Sequence, residues 1–224
     1  MKTGVVLSGC GVMDGSEIHE AVLTLLCLDQ SGSEILCMAP HIEQSQVVNH
    51  LSNEVMDSEN RNILLESARI ARGSIHNIAS IHADDIDALV FPGGFGAAKN
   101  LCSFADDGPD CRVNPETERL ICEMLDAKKP IGALCIAPVL IAKVAGKRGL
   151  AVKVTIGRDP DTSHAIKAMG AVHEECPVNR AVIDTTHKIV TSPAYMLAQS
   201  IKEVSESVHA LVQGILQLLK TCMP

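Results

Sequence analysis

Ile131-Gly132-Ala133-Leu134-Cys135-Ile136-Ala137-Pro138 carries a short apolar strand into a helix across a single turn. Ile131 to Leu134 read as a buried strand, and Ile136 to Ala145 read as helical, with Pro138 tolerated in the first turn. A strand that passes straight into a helix is half of a crossover connection, and crossovers imply a parallel sheet. Small residues, Ala133 and Ala137, stand two positions to either side of Cys135. That is the steric pattern of a nucleophile elbow, where a tight strand-to-helix turn excludes bulky neighbours. An elbow lifts its side chain above the sheet in a strained conformation, and a following helix N-terminus favours the thiolate, the form that attacks. Cys135 is therefore the candidate nucleophile.

The same alternation runs outward in both directions. Val5-Val6-Leu7 is a short strand closed by Ser8-Gly9-Cys10-Gly11. Ser16 is placed to cap a helix over Glu17 to Gln30, whose Ile18, Ala21, Val22, Leu25 and Leu26 form one apolar stripe. Glu34 to Ala39 is a second strand, residues 41–58 are polar and irregular, and a helical pattern returns from Asn60 to Arg72. Ile86 to Phe91 is a third strand. Pro115 opens a helix with Leu120, Ile121, Met124 and Leu125 on one side. The C-terminal third adds strands at Val152–Ile156, Ala181–Asp184 and Lys188–Thr191. It ends in a long helix with Ile201, Val204, Val208, Leu211, Val212, Ile215 and Leu219 on one face. With no repeat or linker, residues 1–224 read as one α/β domain: a three-layer sandwich, its sheet mainly parallel, with helices on both faces.

Composition narrows the function. Hydrophobic residues make up 46% and charged residues 21%, which places the chain among ordinary globular proteins. Acidic residues outnumber basic ones 27 to 19, a formal charge of -8, so no basic face is offered to nucleic acid or to an anionic membrane. No run approaches the roughly 18 apolar residues of a membrane span. Met1-Lys2-Thr3 leads into a strand rather than a signal peptide, and Cys222 stands one place too late for a prenylation box. A cytoplasmic location is the expectation. Three Phe, one Tyr and no Trp leave little material for stacking on bases or sugars. Nine cysteines at no metal-like spacing read as small buried hydrophobes in a reducing compartment.

Ligands of such sheets bind at the carboxyl ends of the strands, and besides Cys135 two more ends stand out. Gly9-Cys10-Gly11-Val12-Met13-Asp14-Gly15 misses the dinucleotide fingerprint because its third glycine comes one place late. The helix after it carries Glu17 and Glu20 in its first turn. Acids there usually complement the helix dipole, yet both would also face the strand ends. Pro92-Gly93-Gly94-Phe95-Gly96 reads either as an ordinary glycine turn or as a set of unblocked amides able to hold an oxyanion. The polar stretch Ala105 to Asn114 reads as a surface loop, with a lid over the site as the alternative.

Together, Phe91-Pro92-Gly93-Gly94-Phe95-Gly96-Ala97-Ala98-Lys99-Asn100-Leu101 and the Cys135 elbow resemble the DJ/PfpI branch of the class I glutamine amidotransferase-like superfamily. Three further segments, Leu7 to Glu20, Ala68 to Gly73 and Ile189 to Gln199, are similar to the ElbB-type isoprenoid-biosynthesis glyoxalases. The resemblance covers nearly the whole chain. It implies a flavodoxin-like fold, a nucleophile at Cys135 and an acid beside it, which is Glu20 with Glu17 as second choice. It further implies oxyanion donors at Gly94 and Ile136, with Gly93 beside them, and a homodimer. The family's hydrolases carry a histidine directly after the nucleophile or after a later strand. Here those places hold Ile136 and Thr155-Ile156-Gly157-Arg158. His173 and His164 are the nearest histidines by position, and His19 lies between the two acids; a lone histidine is more often a surface residue than a catalyst.

A thiol and a carboxyl without histidine suit aldehyde chemistry. The expected function is conversion of small 2-oxoaldehydes such as glyoxal and methylglyoxal to 2-hydroxy acids through a Cys135 hemithioacetal, with no cofactor, glutathione or metal. Two alternatives differ in class: a redox sensor or binding protein with an oxidisable Cys135, and a non-catalytic scaffold in isoprenoid metabolism.

Overall fold

The structure, a computed structural model, describes residues 1–220 of the chain. Residues 221–224, and with them Cys222 and the terminal stretch weighed for prenylation, lie outside the described residues.

The elements in chain order are β1 (Lys2–Val6), α1 (Ile18–Gln30), β2 (Glu34–Ala39), β3 (Val48–Asn49), β4 (Glu54–Val55), α2 (Ile63–Ile70), β5 (His76–Asn77), β6 (Ala88–Phe91), α3 (Phe95–Lys99), α4 (Phe104–Asp107), α5 (Pro115–Asp126), β7 (Ile131–Leu134), α6 (Pro138–Lys147), β8 (Lys153–Val154), α7 (Pro160–Ala168), β9 (Val172–His173), β10 (Val182–Asp184), β11 (Ile189–Ser192) and α8 (Ile201–Lys220). Seven strands form one sheet in the order β10-β11-β7-β6-β1-β2-β5. Every neighbouring pair is parallel except β10 with β11.

Side chains of a strand alternate between faces, and here both faces are apolar. Val6, Leu89, Phe91, Ile131 and Ala133 join one core with Leu120, Ile121 and Met124 of α5 and Val139 and Leu140 of α6. Val5, Leu7, Ala88, Val90 and Leu134 join the other with Ala21 and Leu28 of α1 and Val204, Val208, Leu211 and Ile215 of α8. Each fully buried aliphatic side chain contributes about 1.5–3 kcal/mol of transfer free energy. This is the mainly parallel, helix-covered sandwich expected from the alternation. Because β1, β6, β7 and β11 run parallel to one another, their carboxyl ends lie at one end of the sheet.

Several local expectations are corrected. Helix α1 is capped by Glu17, not Ser16: the Glu17 side chain accepts from the Glu20 N–H at 2.7 Å. Ser16 instead accepts from the Ser8 N–H at 2.9 Å and braces the glycine turn. The apolar stripe on α1 divides: Ala21 is buried and Leu25 packs half-buried against the core, whereas Ile18, Val22 and Leu26 are between 43% and 47% exposed and Glu20, Thr24 and Leu28 face inward. The buried face of this helix gives one position to a carboxyl group. Helix α2 is shorter than read, starting after its cap Asn62, and the irregular stretch before it folds into the β3–β4 hairpin. The strand expected at Val152–Ile156 leaves the main sheet and pairs with β9.

Candidate active site

Cys135 sits between β7 and α6 with φ of 58°, in the left-handed region that a residue bearing a Cβ avoids. The turn is fixed on both sides: the Cys135 N–H donates to the Ser192 carbonyl at 3.1 Å, and the Ala137 N–H to the Leu134 carbonyl at 2.9 Å. The side chain is 8% exposed, and that exposure opens into a cavity of about 410 Å³. The Gly94 and Ile136 N–H groups both donate to its sulfur.

Glu20 reaches this sulfur from the first turn of α1. Its carboxyl is fully buried and hydrogen-bonds with the Cys135 thiol. Oε2 accepts from the Gly93 N–H at 2.8 Å and Oε1 from the Tyr195 N–H at 3.1 Å. Burial, with a smaller contribution from Glu17, pushes its pKa from the ordinary 4.5 up to about 7, against the pull of those hydrogen bonds. Burial and the Glu20 charge likewise hold the Cys135 thiol well above its ordinary value. The expected resting thiolate is thereby corrected. The sulfur is desolvated beside an acid, and the two amide donors together do not offset those effects. The pair instead holds a thiol beside a carboxyl poised near neutrality.

Gly93 is where the two groups meet. A Cβ added there would stand 2.5 Å from the Cys135 Cβ and 2.6 Å from Glu20 Oε2. Gly94 has φ of 95°, and a Cβ on it would lie 2.3 Å from the Glu17 nitrogen. The two glycine turns also interlock: the Glu17 N–H donates to the Gly93 carbonyl at 2.9 Å, and the Gly96 N–H to the Gly15 carbonyl at 2.9 Å. The buried Asn100 amide ties them further, donating to the Ser8 and Asp14 carbonyls at 2.8 Å each. Gly93→Ala is expected to cost about 2 kcal/mol in urea unfolding through overpacking. Gly32→Ala, at φ of 74° with open space around it, should cost only the roughly 1 kcal/mol of its backbone conformation. Equal losses would mean that the Gly93 contact is not tight.

Glu17 does not touch the sulfur but lines the cavity. Its Oε1 lies 3.8 Å from His19 Nδ1, which is 2.7 Å from the Tyr195 hydroxyl. His19 is thus exposed, outside the lining, and linked to the cavity through Tyr195. His173 is elsewhere: its Nε2 accepts from the Ile156 N–H at 3.4 Å, and burial followed by the Lys167 charge lowers its pKa. His164 is exposed on α7. No histidine lines the cavity among the described residues.

Sequence reasoning marked three strand ends and missed the fourth. After β11, Ala194 adopts φ of 43° and places Tyr195 and Met196 in the cavity wall. The signal was available in Ser192-Pro193-Ala194-Tyr195, a strand-ending proline followed by the chain's one tyrosine. Asp159 and Thr162 at the start of α7 were missed too, and nothing local marks them. Phe104 and Ala105 also line the cavity, so the stretch from Ala105 is wall at its start.

No family model matches the chain. It is 46% identical over 226 aligned residues to "ES1 protein homolog, mitochondrial" of Rattus norvegicus, covering 97% of this chain and 84% of that protein. It is equally identical to "Glutamine amidotransferase-like class 1 domain-containing protein 3, mitochondrial" of Homo sapiens, covering 97% and 83%. Among solved structures, an isoprenoid biosynthesis protein with an amidotransferase-like domain from Ehrlichia chaffeensis superposes with a TM-score of 0.92 at 42% identity, covering 98% of this chain and 99% of that one. A ThiJ/PfpI domain protein from Brachyspira murdochii shares the fold at TM-score 0.59 and 14% identity, covering 99% and 97%. The expected cytoplasmic location is overturned by these relatives, since both curated ones are named as mitochondrial proteins. Composition and cysteine usage had pointed only to a reducing interior, which does not separate the two compartments.

Proposed function

The chain belongs to the ES1 family of glutamine amidotransferase-like class 1 domain proteins, and from that premise we propose that it is a cofactor-independent glyoxalase of the ElbB type. The single observation that carries this reading is the fully buried Glu20 carboxyl, raised to about 7 and hydrogen-bonded to the Cys135 thiol beside an open cavity. The name borne by the Ehrlichia chaffeensis protein, with its reference to isoprenoid biosynthesis, supports the narrower assignment.

In the proposed reaction, ionised Glu20 takes the thiol proton as Sγ adds to the aldehyde carbon of a 2-oxoaldehyde. The Gly94 and Ile136 N–H groups, which donate to the sulfur in the free protein, stabilise the oxygen that develops charge. Glu20 passes that proton on to the alkoxide, giving the neutral hemithioacetal, and, ionised again, moves a proton from the former aldehyde carbon to the neighbouring one through an enediol. A group titrating near 7 can both accept and return it. The resulting thioester is hydrolysed by water, releasing a 2-hydroxy acid and the free thiol. Glu17 is the second acid facing the same cavity.

An amidase or peptidase of the Cys-His-acid kind draws no support, because no described histidine lines the cavity. A redox-sensing role draws less support than catalysis. A thiol held protonated by burial and by Glu20 reacts slowly with peroxide, since the thiolate is the oxidised species. The purified protein is expected to convert methylglyoxal to lactate without glutathione, followed by carbon-13 NMR. Absence of lactate from methylglyoxal and from longer 2-oxoaldehydes alike would refute the reading.

A further inference from the structure

The cavity over Cys135 is larger and more apolar than methylglyoxal requires. At about 410 Å³ it lies in the range of pockets that enclose drug-sized ligands. Methylglyoxal has only a methyl group beyond its two carbonyls. Away from the sulfur, Val12, Phe95, Ala98, Phe104, Ala105 and Met196 form the apolar part of the wall, and Thr162 and Tyr195 are among its polar residues. A polar chain laid along the apolar part would leave its own groups unpaired.

The charged groups of the lining have one sign. Glu17 and Asp159 face the cavity, and no lysine, arginine or histidine does so among the described residues. Lys99 lies over the Phe95 ring, 5.2 Å from its centroid, and is tied to Gln46 Oε1 at 2.9 Å, outside the lining. Asp159 is engaged in capping α7, accepting from the Thr162 N–H at 2.8 Å. A carboxylate brought into this space meets like charge and no counter-charge.

We propose that the site is built for uncharged 2-oxoaldehydes carrying an apolar chain of about six carbons, and that it discriminates against carboxylated ones. This rests on the aldehyde reading for its chemistry and on the cavity alone for its selectivity. The dicarbonyl end meets Cys135 and Glu20, and the chain runs along the Phe104 and Met196 walls.

The test compares kcat/KM for methylglyoxal, propylglyoxal, hexylglyoxal and a carboxyalkylglyoxal as long as the hexyl compound. The value should rise about fourfold for each methylene until the chain fills the cavity. The carboxylated compound should fall at least about tenfold below its neutral counterpart. Ala105→Trp, which adds bulk to the wall beside Phe104, should flatten the dependence on chain length. Turnover that is flat or falls with chain length overturns the proposal and leaves the glyoxalase reading standing. If no 2-oxoaldehyde is turned over, that reading fails, and alkylation of Cys135 decides the proposal by itself. In that arm the thiol displaces iodide from N-methyl-, N-hexyl- and carboxyalkyl-iodoacetamides, followed by mass spectrometry. A faster hexyl reagent and a slower carboxylated one support the proposed selectivity, and equal rates overturn it.

Discussion

Cys135→Ala is expected to lower kcat/KM for 2-oxoaldehydes by at least about 10³-fold, because covalent catalysis by the sulfur is the step that every later one depends on. Folding should be little affected. Alanine keeps the Cβ and the φ of 58° that the elbow already imposes, and only one buried sulfur is removed. Lactate production and the thermal midpoint, measured on the same preparation, separate the two effects. Intact-mass analysis supplies the positive sign: the wild-type chain trapped during turnover should carry one substrate mass on the peptide containing Cys135, and the variant none. Cys135→Ser should also fail, since a hydroxyl beside a carboxyl that titrates near 7 is far too weak an acid to be deprotonated by it. Lactate formed at the wild-type rate by either variant would remove Cys135 from the reaction.

What the sequence conveyed and what it withheld follow from how each signal is encoded. The elbow was legible because its chemistry is local: a strand, one cysteine, small flanks and a helix occupy consecutive positions. The parallel sheet was legible for the same reason, since each crossover announces itself as strand then helix. The α1 stripe holds only in part, with Ala21 and Leu25 packing inward and Ile18, Val22 and Leu26 facing solvent, because its period does not say where the buried side is centred. Only the tertiary structure shows that Glu20, Ala21 and Thr24 take the inner face. The protonation state of Cys135 was misread because a helix N-terminus is a local signal, whereas burial and the Glu20 charge come from another element 115 positions away in sequence. Tyr195, Asp159 and Thr162 reach the cavity from segments whose neighbours in the chain carry no catalytic pattern.

Glu20→Gln should lower kcat about 10²- to 10⁴-fold, the usual range for a positioned acid/base, and it makes a second prediction with an unusual sign. A native carboxyl normally titrates below its unfolded value and stabilises the fold as pH rises. Glu20 does the opposite. The native state keeps its proton up to about 7, while the unfolded chain releases it near 4.5. Between those values the folded protein binds more protons, so its stability falls as pH rises. The loss is complete just above pH 7 and amounts to about 3 kcal/mol. Glutamine carries no titrating proton and should abolish this slope. It also cannot accept from both the Gly93 and Tyr195 N–H groups, which costs about 1–3 kcal/mol for the unpaired donor. The wild-type stability relative to the variant should therefore fall by about 2–3 kcal/mol between pH 5 and pH 8. Urea unfolding at both pH values gives the difference, and the subtraction removes titrations common to the two proteins. A wild-type advantage that grows with pH would mean that Glu20 rests ionised in the fold. Such a Glu20 would be a structural anion, unable to return the proton on which the proposed isomerisation depends.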